Sequence, residues 1–492
     1  MYQSKLITQL KLLSAEDLAQ FENFLISPYC NRNKKVVDLF ALIKPFAPDY
    51  NDLSLNKDTV FAKLFSDKSS GGSNLTQLMS QLGKLLKDFL AYENYRRHPY
   101  NKQLALMQEL ADRNNMGGLK EELKTLVLPS LGDSRVQDAD LFYCHYTLQG
   151  LNFTYHIRTH NRDTEAPLMQ LTDCLDTYIL VLKLRSMVSI LSRQRVLNQQ
   201  YSLRWCEIVK DANMPPFNKV ALIQFYNHIV HILQGIDVDE HYNKLRALLR
   251  LEAHQIEYGE LLQIYSICLN HELRLVKEDT ENIHSIVELC QEMEQNRLFD
   301  KHIQNVVYTS VVKFASQVGE YQWADSFMAT YKDKIAVDSP EERDYTYNYS
   351  RAIWHFYKGE HKKAKYLLGQ NYPDAYYYAE RKTFLMKIYY YLEEEDELTN
   401  EVKAVKAYLS RDKIMTNYNK ESMENFTAII AKLNKLKNKT QIKNHLTVDS
   451  TIAEFDALEK HIREIRPIYD LTWVNSAFAE LKKNNLPLLK KH

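Results

Sequence analysis

The residues whose types and spacing suit chemistry are few in this sequence, and each has a plain structural counterpart. His156 and His160, in the stretch HIRTH, stand four apart, a spacing that sets two imidazoles on one helix face where they could ligate zinc. The glutamate that a zinc protease carries after its first histidine is absent, because Ile157 stands there. His228 with His231, and Cys268 with His271, are similar pairs with no second pair to complete a metal set. The acidic run EEEDE at 393–397 reads as a solvated turn before it reads as a cation site. No G-x-G-x-x-G, P-loop, G-x-S-x-G or EF-hand pattern occurs, and with only 12 glycines a phosphate cradle is not expected. No catalytic residue, metal or cofactor is therefore assigned, and the chain reads as non-enzymatic.

Charge patterning bears on anionic partners. Lys plus Arg and Asp plus Glu balance at 63 each, so no global field draws the chain toward nucleic acid or an anionic membrane. Two local clusters remain. Arg185, Arg193 and Arg195 fall near the C-terminal end of a long helical pattern, where the helix dipole favours positive charge. Lys432, Lys435, Lys437, Lys439 and Lys443 crowd a stretch that reads as a lysine-rich connector. That connector, or a helix-turn-helix within the N-terminal module, supports an alternative reading as a nucleic-acid-associated regulator.

The elements that must position these side chains are helices. Hydrophobic residues at 45% and charged residues at 26% describe a folded chain, while 12 glycines and 12 prolines supply too few breakers for a sheet protein. The 33 tyrosines, each an apolar ring with a polar tip, suit half-buried layers between thin helix pairs. Cys30, Cys144, Cys174, Cys206, Cys268 and Cys290 are scattered without a C-x-x-C pair, which points to a reducing compartment. The N-terminus becomes charged before a signal-like apolar core accumulates, and no apolar run reaches the roughly 18 residues of a membrane span. A cytoplasmic protein without membrane contact is expected.

Periodicity divides the chain into five stretches. Residues 1–98 form an N-terminal helical module, with Ser14 and Asp17 marking a helix start and Ser27-Pro28 its end. Gly71-Gly72 lies in its flexible loop. Short helices separated by turns at Asn114-Asn115 and Gly117-Gly118 fill 99–137, and longer helices pair through 138–300. In 301–412, IQNVVYTSVVKFASQVGEYQWADSFMATYKDKI and DYTYNYSRAIWHFYKGEHKKAKYLLGQNYP both place Gly-Glu at the turn (Gly319, Gly359) and Ala five residues on (Ala324, Ala364). Glycine lets the chain reverse, and the small alanine lets the second helix approach the first. A third unit aligns with Glu393 and Leu398 in those places, so the turns fall 40 and then 34 residues apart. Ser339-Pro340-Glu341-Glu342 marks a further helix start. Residues 413–492 supply capping helices.

The 301–412 portion resembles tetratricopeptide repeats. Separately, DTYILVLKLRSMVSILSRQRVLNQQY, QVGEYQWADSFMATYKDKI and LSAEDLAQFENFLISPYCNRNKKVVDLF together look like an uncharacterised family of bacterial proteins of about this length, a resemblance that spans most of the chain and implies a cytoplasmic helical-repeat architecture with no catalytic residues to carry over. The expected fold is all-α: an α-solenoid of antiparallel helix pairs with an N-terminal helical module. In tetratricopeptide repeats the first helix of each unit lines a concave surface. In that register the face holds Thr309, Lys313 and Gln317, then Tyr349, Ile353 and Tyr357, then Thr383, Lys387 and Tyr390. Aromatic anchors beside lysines suit an extended segment with acidic or C-terminal carboxylate groups. The other reading is that these tyrosines pack against the chain's own neighbouring elements. The expected function is a scaffold for protein or peptide interaction, with the partner and oligomeric state unspecified.

Overall fold

Long stretches free of glycine and proline let i to i−4 hydrogen bonds propagate, and helices form almost throughout. The computed structural model describes the chain apart from residues 1–3, 51–54, 66–71, 131, 134–135, 161–163, 197–200, 205–206, 279–282, 338, 370–374, 412–414, 416, 442–447 and 490–492. Among the described residues there are 23 α-helices and two strands of two residues each, so the protein is all-α. No helix among them is long and apolar enough to cross a membrane. The chain divides into two compact units, one of Met1–Asp133, Gln137–Ile190 and Gln199–Ile223, the other of Ser134–Val136, Leu191–Asn198 and Gln224–His492.

The first unit takes in α1 (Lys5–Leu10), α2 (Ala15–Ile26), α3 (Lys34–Ile43), α4 (Lys57–Leu64), α5 (Gly72–Arg97), α6 (Asn101–Asp112), α7 (Met116–Thr125), α8 (Ala139–Arg158), most of α9 (Glu165–Val196) and α10 (Ile208–Asp211). The start of α2 is a capping box: Ser14 Oγ accepts the Asp17 N–H at 3.0 Å, and Asp17 Oδ2 accepts the Ser14 N–H at 3.1 Å. Fixing that end aims Leu18, Phe21 and Leu25 inward, where Phe21 meets Phe40 edge-on at 5.0 Å and Phe89 at 5.2 Å. Each buried phenylalanine contributes roughly 2–3 kcal/mol. The expected Gly71-Gly72 loop lies in part outside the described residues, and α5 begins at Gly72 itself.

The second unit runs through most of α11 (Ala221–Gln234), then α12 (Val238–Glu252), α13 (Tyr258–Glu278), α14 (Ile283–Gln295), α15 (Asn305–Gln317), α16 (Tyr321–Tyr331), α17 (Pro340–Tyr357), α18 (His361–Leu368), α19 (Ala375–Leu392), α20 (Glu395–Arg411), α21 (Asn417–Gln441), α22 (Val448–Glu464) and α23 (Leu471–Leu489). Ser339 caps α17 by accepting the Glu342 N–H at 3.2 Å, with Pro340 at the first helical position. Three helix pairs close in the same way. Gly319 (φ 90°), Gly359 (φ 80°) and Glu393 (φ 60°) are all left-handed. The following N–H reaches back to a carbonyl five residues earlier: Glu320 to Ala315 and Glu360 to His355, each at 2.9 Å, and Glu394 to Tyr389 at 3.1 Å. This is the helix-ending pattern that satisfies terminal carbonyls through a left-handed residue. Ala324 and Ala364, five residues past the first two turns, are fully buried, and Leu398 fills the third place. The same closure joins α11 to α12, where Gly235 (φ 79°) precedes an Ile236 N–H bonded to His231 O at 3.0 Å.

Two elements differ from expectation. Ile303–Gln304 (β1) pairs in parallel with Ile335–Ala336 (β2), bracketing α15 and α16, with Ile303 and Ile335 both buried. The lysine-rich stretch expected as a connector is instead the second half of α21 through Gln441. Leu433 and Leu436 are buried while Lys432 and Lys435 are exposed, so those two lysines lie on the solvent side of an amphipathic helix. Lys443 lies outside the described residues.

Candidate functional site

The face expected to bind is carried by α15, α17 and α19: α15 packs on α17, α17 meets α19 through Tyr349 and Phe356 against Phe384, and each helix is followed by a left-handed turn. Lys313, Ile353 and Lys387 stand at matching positions along these helices, separated by the same 40 and 34 residues as the turns. The two lysines of this row are met by the chain's own Tyr469 and Asp470, in the link between α22 and α23, and by Trp473 in the first turn of α23. Ile353 and Lys387 are 3% exposed, Tyr390 4% and Tyr349 7%; Lys313, Gln317 and Tyr357 keep partial exposure. Thr383 is buried, and Thr309 Oγ1 accepts the Ser350 hydroxyl at 3.4 Å.

At the centre is a carboxylate shared by two lysines. The Lys387 ammonium donates to Asp470 Oδ2, and the Lys313 ammonium stands 3.5 Å from the same oxygen. Both side chains of the Lys387–Asp470 pair are 3% exposed, whereas 29% of the Lys313 side chain remains in contact with solvent. Burial alone would raise the Asp470 carboxyl, but the two ammonium groups outweigh it and hold the pKa well below the usual carboxylate range. Burial draws Lys387 down to about 8 against the pull of Asp470, with Lys313 adding to the depression. Four rings surround the Lys387 ammonium: Phe426, Tyr469 and Trp473 with centroids at 5.6 Å and Phe384 at 5.8 Å. Glu380, one turn before Thr383, faces both lysines, and burial raises its pKa.

Aromatic and amide groups complete the contact. Trp473, at the start of α23, meets Tyr390 edge-on at 5.8 Å and Phe426 at 5.7 Å. Gln317 Nε2 donates to the Tyr357 hydroxyl at 2.9 Å, and desolvation raises the phenols of Tyr349 and Tyr357 well above their ordinary value. The link between α22 and α23 is also tied to α21: Tyr469 N–H donates to Ser422 O at 3.0 Å, and Asn425 Nδ2 donates to Pro467 O at 2.8 Å. Trp473 is expected from the sequence as part of the capping piece, whereas Tyr469 and Asp470 carry no such expectation. Their only linear signal is an acid flanked by aromatics just past Pro467, far from the helices they meet.

The other spacing-based pairs are placed differently. His160 sits beyond the end of α8 in a left-handed turn (φ 55°), so it does not share a helix face with His156. His228 and His241 bring their Nδ1 atoms to 2.8 Å, and His231 stacks on His241 at 4.1 Å while its own Nδ1 bonds Asn227 O at 2.8 Å. Among the described residues no group of three or more His, Cys, Asp or Glu is arranged to hold a metal ion. Cys268 is fully buried, and desolvation pushes its thiol up to about 12, a condition that disfavours the nucleophilic thiolate; His271 packs its ring on Tyr242 at 4.3 Å. Of the connector lysines, Lys437 donates to Tyr390 O at 3.0 Å and Lys439 pairs with Glu454 at 2.5 Å. No family model, no curated protein and no solved structure matches this chain.

Proposed function

We propose that this chain is a non-enzymatic helical-repeat scaffold of the α-solenoid, tetratricopeptide-like kind, mediating protein–protein or peptide interaction from a cytoplasmic location. The observation that carries the reading is the Lys313–Ile353–Lys387 row, in which two lysines from different helix pairs meet one carboxylate in the aromatic-flanked turn that opens α23. Matching positions on successive helices give such a face a regular pitch, which is how repeat arrays read a linear segment. Further support comes from the left-handed turns at Gly319, Gly359 and Glu393, which repeat one helix-pair geometry even where the glycine is missing. The buried, high-pKa thiols of Cys268 and Cys290 fit a chain whose middle helices serve packing.

The test is crosslinking of the full chain in native lysate, followed by mapping of the joined residues. A scaffold gives a recurrent partner crosslinked at solvent-accessible lysines of α15–α21, among them Lys313, Lys432 and Lys435. A chain that crosslinks only to itself, or only to nucleic acid in a salt-sensitive manner, is not this scaffold.

A further inference from the structure

We propose that the 465–473 segment is a built-in occupant of the α15/α17/α19 face, and that the face takes in trans a protein segment of the same chemistry. That segment carries one carboxylate at a helix start, an aromatic residue immediately before it and a second aromatic three residues after it. This rests on the interaction reading above and names its ligand class and its control: the chain's own Tyr469-Asp470-Leu471-Thr472-Trp473 must leave before a partner enters.

Three observations lead there. First, the recognition elements are provided by one side and answered by the other. Lys313 and Lys387 supply charge and Tyr390 and Phe426 supply ring surfaces; Asp470 meets the lysines, and Tyr469 and Trp473 meet the rings. Second, the fit in cis is imperfect. Asp470 holds a left-handed backbone (φ 48°), a conformation that costs a residue with a β-carbon on the order of 1 kcal/mol, and Lys313 stands off at 3.5 Å with part of its side chain still hydrated. A ligand free of that backbone constraint can bring its carboxylate between both ammonium groups. Third, a buried ion pair adds little net stability but strongly fixes position, because desolvation offsets most of its Coulomb attraction. The ion pair therefore specifies the register of the segment, while the buried Ile468, Trp473 and Val474 supply its apolar hold, so a segment entering in trans must replace both.

The probe is a labelled synthetic peptide copying Ile465–Lys482, read by fluorescence anisotropy against the full-length chain. Asp470→Asn in the chain weakens the internal occupant and leaves the lysine seat intact. Binding of the peptide to this variant is expected to be tighter than to the unsubstituted chain by about ten-fold or more. The same peptide carrying Asp470→Asn loses that gain, and Lys387→Met in the variant chain removes the preference for the acidic peptide. A variant that keeps its helical circular dichroism and cooperative melt, yet binds both peptides equally or neither, overturns the proposal. If Asp470→Asn prevents folding, hydrogen exchange on the unsubstituted chain decides. Excess peptide should then deprotect α22 and α23 while α15 and α17 stay protected, and unchanged protection of α22 and α23 overturns it. A partner crosslinked elsewhere, with the peptide inert, would leave the scaffold reading standing and remove only this one.

Discussion

Lys387 and Asp470 close on one another with 3% of each side chain exposed, although Lys387 lies in α19 and Asp470 in the turn before α23, with the whole of α20, α21 and α22 between them. Removing Asp470 takes away the carboxylate that offsets the burial of the Lys387 ammonium. Asp470→Ala is expected to lower stability by about 3–5 kcal/mol in urea unfolding, and Lys387→Met combined with Asp470→Leu to recover most of it, since a matched apolar pair avoids both desolvation costs. A double variant no more stable than Asp470→Ala would mean that the loss arises elsewhere.

The repeated turns allow a test with opposite signs. A β-carbon at Gly319 or Gly359 meets open space, so any cost of Gly319→Ala or Gly359→Ala comes from the positive φ alone. Each is expected to destabilise by about 1 kcal/mol, while Glu393→Gly, at the equivalent left-handed position, stabilises by roughly 0.5–1 kcal/mol. Chemical denaturation of the three single variants, compared at a common pH, reads the pattern.

The small residues behind those turns set how closely the helices approach. Ala324→Leu forces a larger side chain into a fully buried place and is expected to cost about 1–3 kcal/mol by overpacking. Leu398→Ala, at the matching place of the third pair, opens a cavity and is expected to cost about 2–5 kcal/mol. Thermal melts showing both variants unchanged would contradict the shared packing role.

The histidine cluster predicts an acid-sensitive stability. Burial first, then His241, Lys244 and His231, lower His228 to about 4, and His241 is lowered by burial and by His231 and Lys244; Glu240 opposes both shifts. A histidine with a depressed folded-state pKa takes up protons more readily when unfolded. Its stabilising contribution is therefore complete above about pH 6.5 and is lost as the pH falls toward about 4. Melting temperature should decline across that window, and His228→Asn should flatten the decline by on the order of 1 kcal/mol, because the ring keeps part of its hydration.

How far the sequence discloses this structure depends on whether the cause is local. The α2 capping box and the α17 start are written in neighbouring residues, Ser14 with Asp17 and Ser339 with Glu342, and both form. Gly319 and Gly359 announce their turns by residue type, but Glu393 is marked only by spacing, because the backbone geometry persists after the glycine is gone. The lysine stretch misleads because an acid-free run resembles a loop, while the buried Leu433 and Leu436 that make it helical lie between the charges. Asp470 is illegible for a different reason: its partners are fixed by the return of the chain through α21 and α22, and no window of sequence contains both the acid and its lysines.

The short pairing of Ile303 with Ile335 and of Gln304 with Ala336 has a mechanical consequence. The two strands are parallel and flank α15 and α16, so tension applied along the chain draws β1 from its N-terminal end and β2 from its C-terminal end. Such a load shears the pairing, stressing its hydrogen bonds together instead of unzipping them one at a time. Under pulling, the α15–α16 pair is thus bridged at its base by this pairing.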